Sequence, residues 1–369
     1  MTINSQRGKI KKKILVVDDS ALMRRVLCDI INSDERFQVV EQAFNGEEAY
    51  ALLKKNQYDG VVLDVNMPKM NGIQLLRMLQ RDKIRARIMM ASTDTKDGAQ
   101  VTMDALDLGA IDFVEKPANF VYLKGEDFRK KFLDVLQAVV TSRQCNISPV
   151  SSMAMNKMEE DSKKLVNIIK KGKNTVGGQK VVALACSTGG PKALQSVIPR
   201  LPAELAAPVL IVQHMPKGFT QSLAERLNSL SSVEVKEAAE GDVLENGKVY
   251  ISMGGKHMKV ITKGGKSVIT YTDEPTREGV KPCANYMYES LMDSNYSQIV
   301  CVVMTGMGAD GTKGIVNLET AKNIHVIAQD ESTSTVYGMP KSIVATGLVN
   351  QIVGLDDVAQ EIIMNVGVR

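Results

Sequence analysis

Two groups of side chains in this sequence could carry chemistry. In KVVALACSTGGPKAL (180–194) an apolar run ends at Ser187, followed by Gly189-Gly190 and by Pro191 at the start of a helical pattern. Glycines permit a tight strand-to-helix turn, and proline is favoured at the first helical position. A hydroxyl placed there lies at a helix N-terminus, among backbone N–H groups that can stabilise an oxyanion. A lone serine at such a turn is usually only a helix cap, so a nucleophile needs a base. PVLIVQHMP (208–216) puts His214 at the carboxyl end of the next strand, and IVCVVMTGMGADG (299–311) puts Asp310 in a glycine-rich loop after a later one. Triads are defined by geometry and not by chain order, so Asp310 can orient His214, His214 can take the proton of Ser187, and Ser187 can attack an acyl carbon. The chain has three histidines. His325, inside IHVIAQ, reads as a strand residue satisfied by a partner; His257, after two glycines in GGKHMKV, and Thr188 read as neighbours of the site. A nucleotide-binding turn is the rival, but STGGP lacks the GxGxxG spacing and the next strand ends without the acid that would hold a ribose.

The second group consists of carboxylates at strand ends. Asp18 and Asp19 follow ILVV, Asp64 closes VVLD, Ser92 ends RIMMAS, and Lys116 ends IDFVEK. Three carboxylates brought together repel one another unless a cation is present, and hard oxygen donors favour Mg²⁺. A carboxylate in line with a phosphoryl donor can act as nucleophile, with a metal, a lysine and a hydroxyl around the charge that develops. Any one aspartate before a helix is more often an N-cap; the complete set at the ends of successive strands argues for function.

Both groups need strands whose carboxyl ends share one crevice, which is the property of a parallel sheet. From Lys13 to about Val140 five short β-like runs alternate with five helical patterns, the first helix painted by Leu22, Met23, Val26, Leu27, Ile30 and Ile31. That alternation predicts a parallel sheet covered on both faces. A second alternation begins at Lys180: VVALAC, PVLIVQ, VYIS, VITY, IVCVVM and HVIAQ, with a closing helix after Leu355. Thr141–Gly178 is rich in Ser, Asn, Lys and Gly and reads as a linker, with one possible short helix near Leu165–Ile169. The predicted architecture is α/β: a basic N-terminal tail over 1–12, a flavodoxin-like (βα)5 domain over 13–140, a linker over 141–178, and a doubly wound, Rossmann-like parallel-sheet domain over 179–369. At 369 residues the chain is long enough for two such cores.

Composition narrows the function. Lys plus Arg (46) less Asp plus Glu (42) leaves +4, too small a surplus to argue for nucleic acid. The longest apolar run, LAAPVLIV (205–212), is far short of the roughly 20 residues a membrane span needs, so no membrane insertion is expected. The basic start lacks the apolar stretch of a signal peptide, and five scattered cysteines with no CxxC favour a reducing cytoplasm. Cys186 reads as a packed core thiol.

Residues 10–140 resemble the receiver domain of two-component response regulators, through VVDDS (16–20), VLDVNMPKMNG (62–72), MAST (90–93) and DFVEKP (112–117). The resemblance implies that Asp64 is the phosphoacceptor, that Asp18, Asp19 and Asp64 hold Mg²⁺, that Lys116 pairs the phosphate, and that Ser92 and Phe113 are the switch residues. On phosphorylation Ser92 would turn to the phosphate and Phe113 inward. The second half resembles the catalytic domain of chemotaxis-type protein-glutamate methylesterases (the CheB family), through STGGPKAL, QHMPKGFTQSLAERLN (213–228), EGDVLENGKVYIS (240–252), MTGMGADG (304–311) and AQDESTSTVYGMP (328–340). That resemblance implies hydrolysis of glutamyl methyl esters on chemoreceptor cytoplasmic domains, often with deamidation of glutamines, and no cofactor for the ester chemistry. It further implies a chemotaxis histidine kinase as phosphodonor and a receiver that inhibits the esterase until phosphorylated. Ser187, His214 and Asp310 match the family's triad and Met307 a position at its oxyanion site. The sequence departs from the family at Ala185, Cys186, Met253 and Cys283-Ala284-Asn285, where Ser-Val-Asp is common. The competing expectation is a response regulator whose esterase-like half only docks receptors or signalling partners.

Overall fold

The computed structural model describes residues 10–93, 96–117, 123, 125–143 and 178–369. The chain divides into two compact units at Ser142/Arg143. Most of the expected linker, including the stretch around Leu165–Ile169, and residues 1–9 of the tail lie outside the described residues.

In the first unit the elements run β1 (Lys12–Val17), α1 (Ala21–Asn32), β2 (Phe37–Ala43), α2 (Gly46–Lys55), β3 (Gly60–Asp64), α3 (Gly72–Arg81), β4 (Ile88–Thr93), α4 (Lys96–Asp107), β5 (Asp112–Lys116) and α5 (Glu126–Thr141). All pairings are parallel in the order β2-β1-β3-β4-β5. Ile14–Val17 and Val61–Leu63 are buried, as strands covered on both faces require. Side chains start the helices: Ser20 accepts from the Met23 amide, Asn45 from Glu48, and Asn71 forms a reciprocal capping box with Gln74.

The second unit continues with β6 (Lys180–Cys186), α6 (Gly190–Val197), β7 (Val209–Gln213), α7 (Phe219–Leu230), β8 (Glu234–Glu237), β9 (Lys248–Ile251), β10 (His257–Lys263), β11 (Lys266–Thr272), α8 (Ala284–Ser290), β12 (Gln298–Val303), α9 (Thr312–Glu319), β13 (Asn323–Gln329), α10 (Gly338–Val344), β14 (Gln351–Val353) and α11 (Val358–Val366). Seven strands form a parallel sheet ordered β14-β13-β12-β6-β7-β9-β8. Strands β10 and β11 stand apart as an antiparallel hairpin. The sequence reading lacks β8, β10 and β14 and takes VITY, within β11, as a short strand. Gly264 and Gly265, both at positive φ (58° and 76°), make the two-residue turn between β10 and β11, and a Gly-Gly pair between apolar runs is a hairpin signal. No helix among the described residues is long and apolar enough to cross a membrane.

Candidate active site

Strand β6 pairs with β7 on one side and with β12 on the other. The chain therefore reverses its winding direction at β6, and the crevice of a doubly wound sheet opens at such a point. Ser187 follows the last residue of β6, His214 the last of β7, and Asp310 lies in the loop between β12 and α9, so three neighbouring strand ends carry the three side chains.

Ser187 does not cap the helix that follows β6. Gly189, left-handed at φ 77°, occupies the N-cap of α6, and no side chain caps that helix. Ser187 is held by its backbone. Its N–H donates to Thr305 O (2.9 Å), and its C=O accepts from the Gly190 amide (2.7 Å) and from Gln213 Nε2 (3.0 Å). The amides of Ser187 and Gly190 are thus already spent and do not serve an oxyanion. Among the described residues the Met307 amide, in the loop after β12, donates to no protein group, and the Met307 side chain is 39% exposed. Thr188 is buried, and its carbonyl accepts from Thr305 Oγ1 (2.9 Å).

His214 Nε2 lies 2.7 Å from Asp310 Oδ2. The same carboxylate accepts from the amides of Ala284 (2.6 Å), Asn285 (3.0 Å) and Gly311 (2.8 Å) and from Cys283 Sγ (3.0 Å). Burial alone would raise the Asp310 carboxyl; the His214 hydrogen bond and charge, the thiol and the Ala284 amide outweigh it and bring it down to about 2. His257 is fully buried and does not line the crevice. Its Nδ1 accepts from the Cys283 amide (3.2 Å) and its Nε2 meets Pro275 O (3.2 Å). Burial pushes its basicity down. His325 sits in β13 with Nε2 2.8 Å from Gln351 Oε1. Cys186 is fully buried, donates to Gln213 Oε1 (3.0 Å), and burial pushes its thiol up.

Sequence reasoning missed Gln213 and Thr305. Gln213 touches Cys186, Ser187 O and His214 O and so couples the ends of β6 and β7. A fully apolar strand closing on an amide was the available signal, because a buried polar group needs partners.

In the first unit Asp18, Asp19 and Asp64 each offer an oxygen within 4.8 Å of the others. Lys116 Nζ pairs with Asp18 Oδ2 and Asp64 Oδ1, both at 2.7 Å. Burial raises the Asp64 carboxyl against the pull of Lys116. One ammonium cannot balance three carboxylates, and the exposed Asp19 leaves the cluster open on one side, so the donor set fits a hard divalent cation. Arg24, also missed, is buried beside the cluster; its Nη1 donates to the carbonyls of Asp18 (2.8 Å) and Asp19 (3.3 Å), and its guanidinium lies 4.1 Å from the Phe44 ring centre. The Ser92 hydroxyl faces α4, bonding Gly98 O (3.3 Å) and Thr102 Oγ1 (2.9 Å); among the described residues no hydrogen bond joins it to Asp64. Phe113, expected to turn inward on phosphorylation, is already buried at 6% exposure.

Residues 182–362 match the CheB methylesterase family and residues 14–125 the response regulator receiver domain. The protein-glutamate methylesterase/protein-glutamine glutaminase of Pyrococcus abyssi is 41% identical over 355 residues, 96% of this chain and 93% of that one. The chain belongs to the CheB methylesterase family. The Bacillus subtilis protein of the same name is 39% identical over 352 residues, 95% of this chain and 97% of its own length. The crystal structure of the Thermotoga maritima CheB methylesterase catalytic domain, 37% identical, covers 51% of this chain and 99% of its own with a TM-score of 0.50. This CheB-family chain is therefore a protein-glutamate methylesterase with a receiver domain, and a pure docking role for its second half is not favoured.

Proposed function

We propose that Ser187, His214 and Asp310 hydrolyse methyl esters of glutamate side chains on chemoreceptor cytoplasmic domains and release ammonia from receptor glutamines by the same route. The observation carrying this reading is the contact between His214 Nε2 and a five-times hydrogen-bonded Asp310, on strand ends that flank the Ser187 turn. With Nε2 engaged by the carboxylate, Nδ1 is the atom left to accept a proton. Ser187 Oγ attacks the ester carbonyl carbon and its proton passes to His214. The tetrahedral intermediate then expels the methoxy group, which takes that proton and leaves as methanol. Water attacks the acyl-enzyme with His214 again as base, restoring Ser187 and freeing the glutamate. The Met307 amide serves the oxyanion and stabilises the transition state without a cofactor, and Thr188 holds the turn from behind.

In the receiver, Asp64 accepts the phosphoryl group from a chemotaxis histidine kinase. Asp18, Asp19 and Asp64 hold Mg²⁺, which when bound neutralises charge on the phosphoryl oxygens. Lys116 pairs the phosphate, and Ser92 and Phe113 answer to it. All of this takes place in the cytoplasm, where the receptor domains lie. The test is methanol release from methylated receptor. Ser187→Ala and His214→Ala are each expected to lower kcat by on the order of 10³-fold or more, and the double variant to be little worse than either, because members of a triad act as a unit. Strictly multiplicative losses would remove the assignment.

A further inference from the structure

We propose that Cys283 is a positioning residue for this hydrolysis: its thiol completes the set of donors that holds the Asp310 carboxylate in the orientation that His214 requires. The proposal rests on the reading of Ser187, His214 and Asp310 as the catalytic set. Asp310 comes from the loop after β12, whereas Cys283 is the N-cap residue of α8, so the contact joins two separate segments of the chain at the triad. Cys283 Sγ lies 3.0 Å from Oδ1, and His214 Nε2 lies 2.7 Å from Oδ2 of the same group. Oδ1 also accepts from the amides of Asn285 (3.0 Å) and Gly311 (2.8 Å) and Oδ2 from that of Ala284 (2.6 Å), so the thiol adds a side-chain donor to a carboxylate whose terminal torsion the backbone already restrains. Cys283 is fully buried, and burial together with the Asp310 charge pushes its thiol up, so it stays protonated and remains a donor.

A second tier holds Cys283 itself. Its amide donates to His257 Nδ1, and Nε2 of that ring reaches Pro275 O. The His257 ring packs on Tyr286 with centroids 4.5 Å apart. These contacts define the His257 tautomer: Nδ1 accepts and Nε2 donates, which requires a neutral ring. Tyr288, whose hydroxyl bonds Ala183 O and Val302 O (3.1 Å each), is a further titratable neighbour of Asp310, and burial pushes it up, so it stays uncharged. A donor on Oδ1 therefore acts on the partnership of Asp310 with His214. It draws negative charge away from the carboxylate and moderates its hold on the imidazolium that forms during turnover.

A serine hydroxyl at this position could donate to the same oxygen, so the thiol is a weak donor where a stronger one would fit. The prediction separates donor from bulk. In the full-length chain, Cys283→Ala is expected to lower kcat for methanol release by roughly 3–10-fold with KM unchanged, and to move the rising limb of the pH profile to higher pH, because the carboxylate loses a charge-assisted donor. Cys283→Val, which fills the volume without donating, should behave the same way, and it stands in if the alanine variant loses its cooperative thermal transition. Cys283→Ser should return kcat and the pH midpoint to within about twofold of the parent. Folded alanine or valine variants with the parent's kcat and pH midpoint would overturn the proposal, as would a serine variant as impaired as alanine. Ser187→Ala measured beside them keeps the two readings apart: if it retains full turnover, the catalytic set is wrong, and if only the Cys283 series is flat, the set stands and the positioning role falls.

Discussion

Asp310 receives five hydrogen bonds and is nearly excluded from water. A buried carboxylate so fully satisfied is stable only while ionised, which is why its pKa falls to about 2 although burial alone would raise it. A carboxyl depressed in the folded state contributes stability that is present above the unfolded value, about 3.9, and is lost as pH falls toward the folded value. The catalytic unit is therefore expected to lose melting temperature between about pH 4 and pH 2, and an Asp310→Asn variant should show a shallower decline over the same window. At neutral pH the same variant should cut kcat by on the order of 10³–10⁴, because a carboxamide can present its N–H to Nε2 and select the wrong imidazole tautomer. Thermal melts across pH and methanol release check the two halves of this prediction separately.

Among elements, the turn after β6 depends on what lies behind it. Gly306, in the loop after β12, sits so close that an added Cβ would come 2.8 Å from Ser187 Cβ and would press on Met339 Sδ. Its amide bonds Val336 O, and its carbonyl accepts from the amides of Gly338 and Met339, so the loop has little freedom to withdraw. Gly306→Ala is expected to destabilise the unit by about 1–3 kcal/mol, as overpacking does, and to lower kcat more than tenfold, since displacing a nucleophile by even about 1 Å is costly. Chemical denaturation measures the first effect and methanol release the second; a stable variant with full activity would mean that the turn has slack the structure does not suggest. Two of the elements that sequence reading overlooked, β8 and β14, share a physical reason. EVKE of β8 is short and largely polar, and QIV of β14 is a three-residue edge strand, so neither has room for a hydrophobic period. Their pairing energy comes from the neighbouring strand and not from their own residues.

For the whole molecule, the proposed roles of Asp64 and Ser187 make phosphorylation of the receiver a control on turnover by the esterase. A phosphoryl group can do so only through its differential effect on two states of the chain, with couplings typically of about 1–3 kcal/mol, or roughly 5–150-fold. Addition of a small phosphodonor with Mg²⁺ is expected to raise methanol release by the full-length chain within that range. Asp64→Asn should fold and turn over at the basal rate without responding. A chain beginning at Gly178 should be faster than the unphosphorylated whole and equally indifferent to phosphodonor. If the shortened chain is no faster, the receiver acts by some means other than restraint of the esterase. To reach the phosphate the Ser92 hydroxyl has to leave its contacts with Thr102 and Gly98, whereas the Phe113 ring is already buried.

Sequence alone determined the two α/β units, their parallel sheets and the residues at the strand ends, because apolar runs such as ILVV and VVALAC are too short for helices and alternate with helical patterns, which makes them strands buried on both faces with the residues directly after them at the carboxyl edge. It also supplied Ser187, His214 and Asp310 as candidates from three different strands. What it could not supply was the pairing order β12-β6-β7, which brings those strand ends side by side. Tertiary structure likewise decided that His257 braces Cys283 and does not face the crevice, that Cys283 donates to Asp310, that Gln213 and Thr305 hold the Ser187 turn, and that Arg24 braces the acidic loop. Each of these is a contact between residues far apart in the chain, and the hydrogen-bond needs of a buried polar group announce that a partner exists without saying which one the fold will bring.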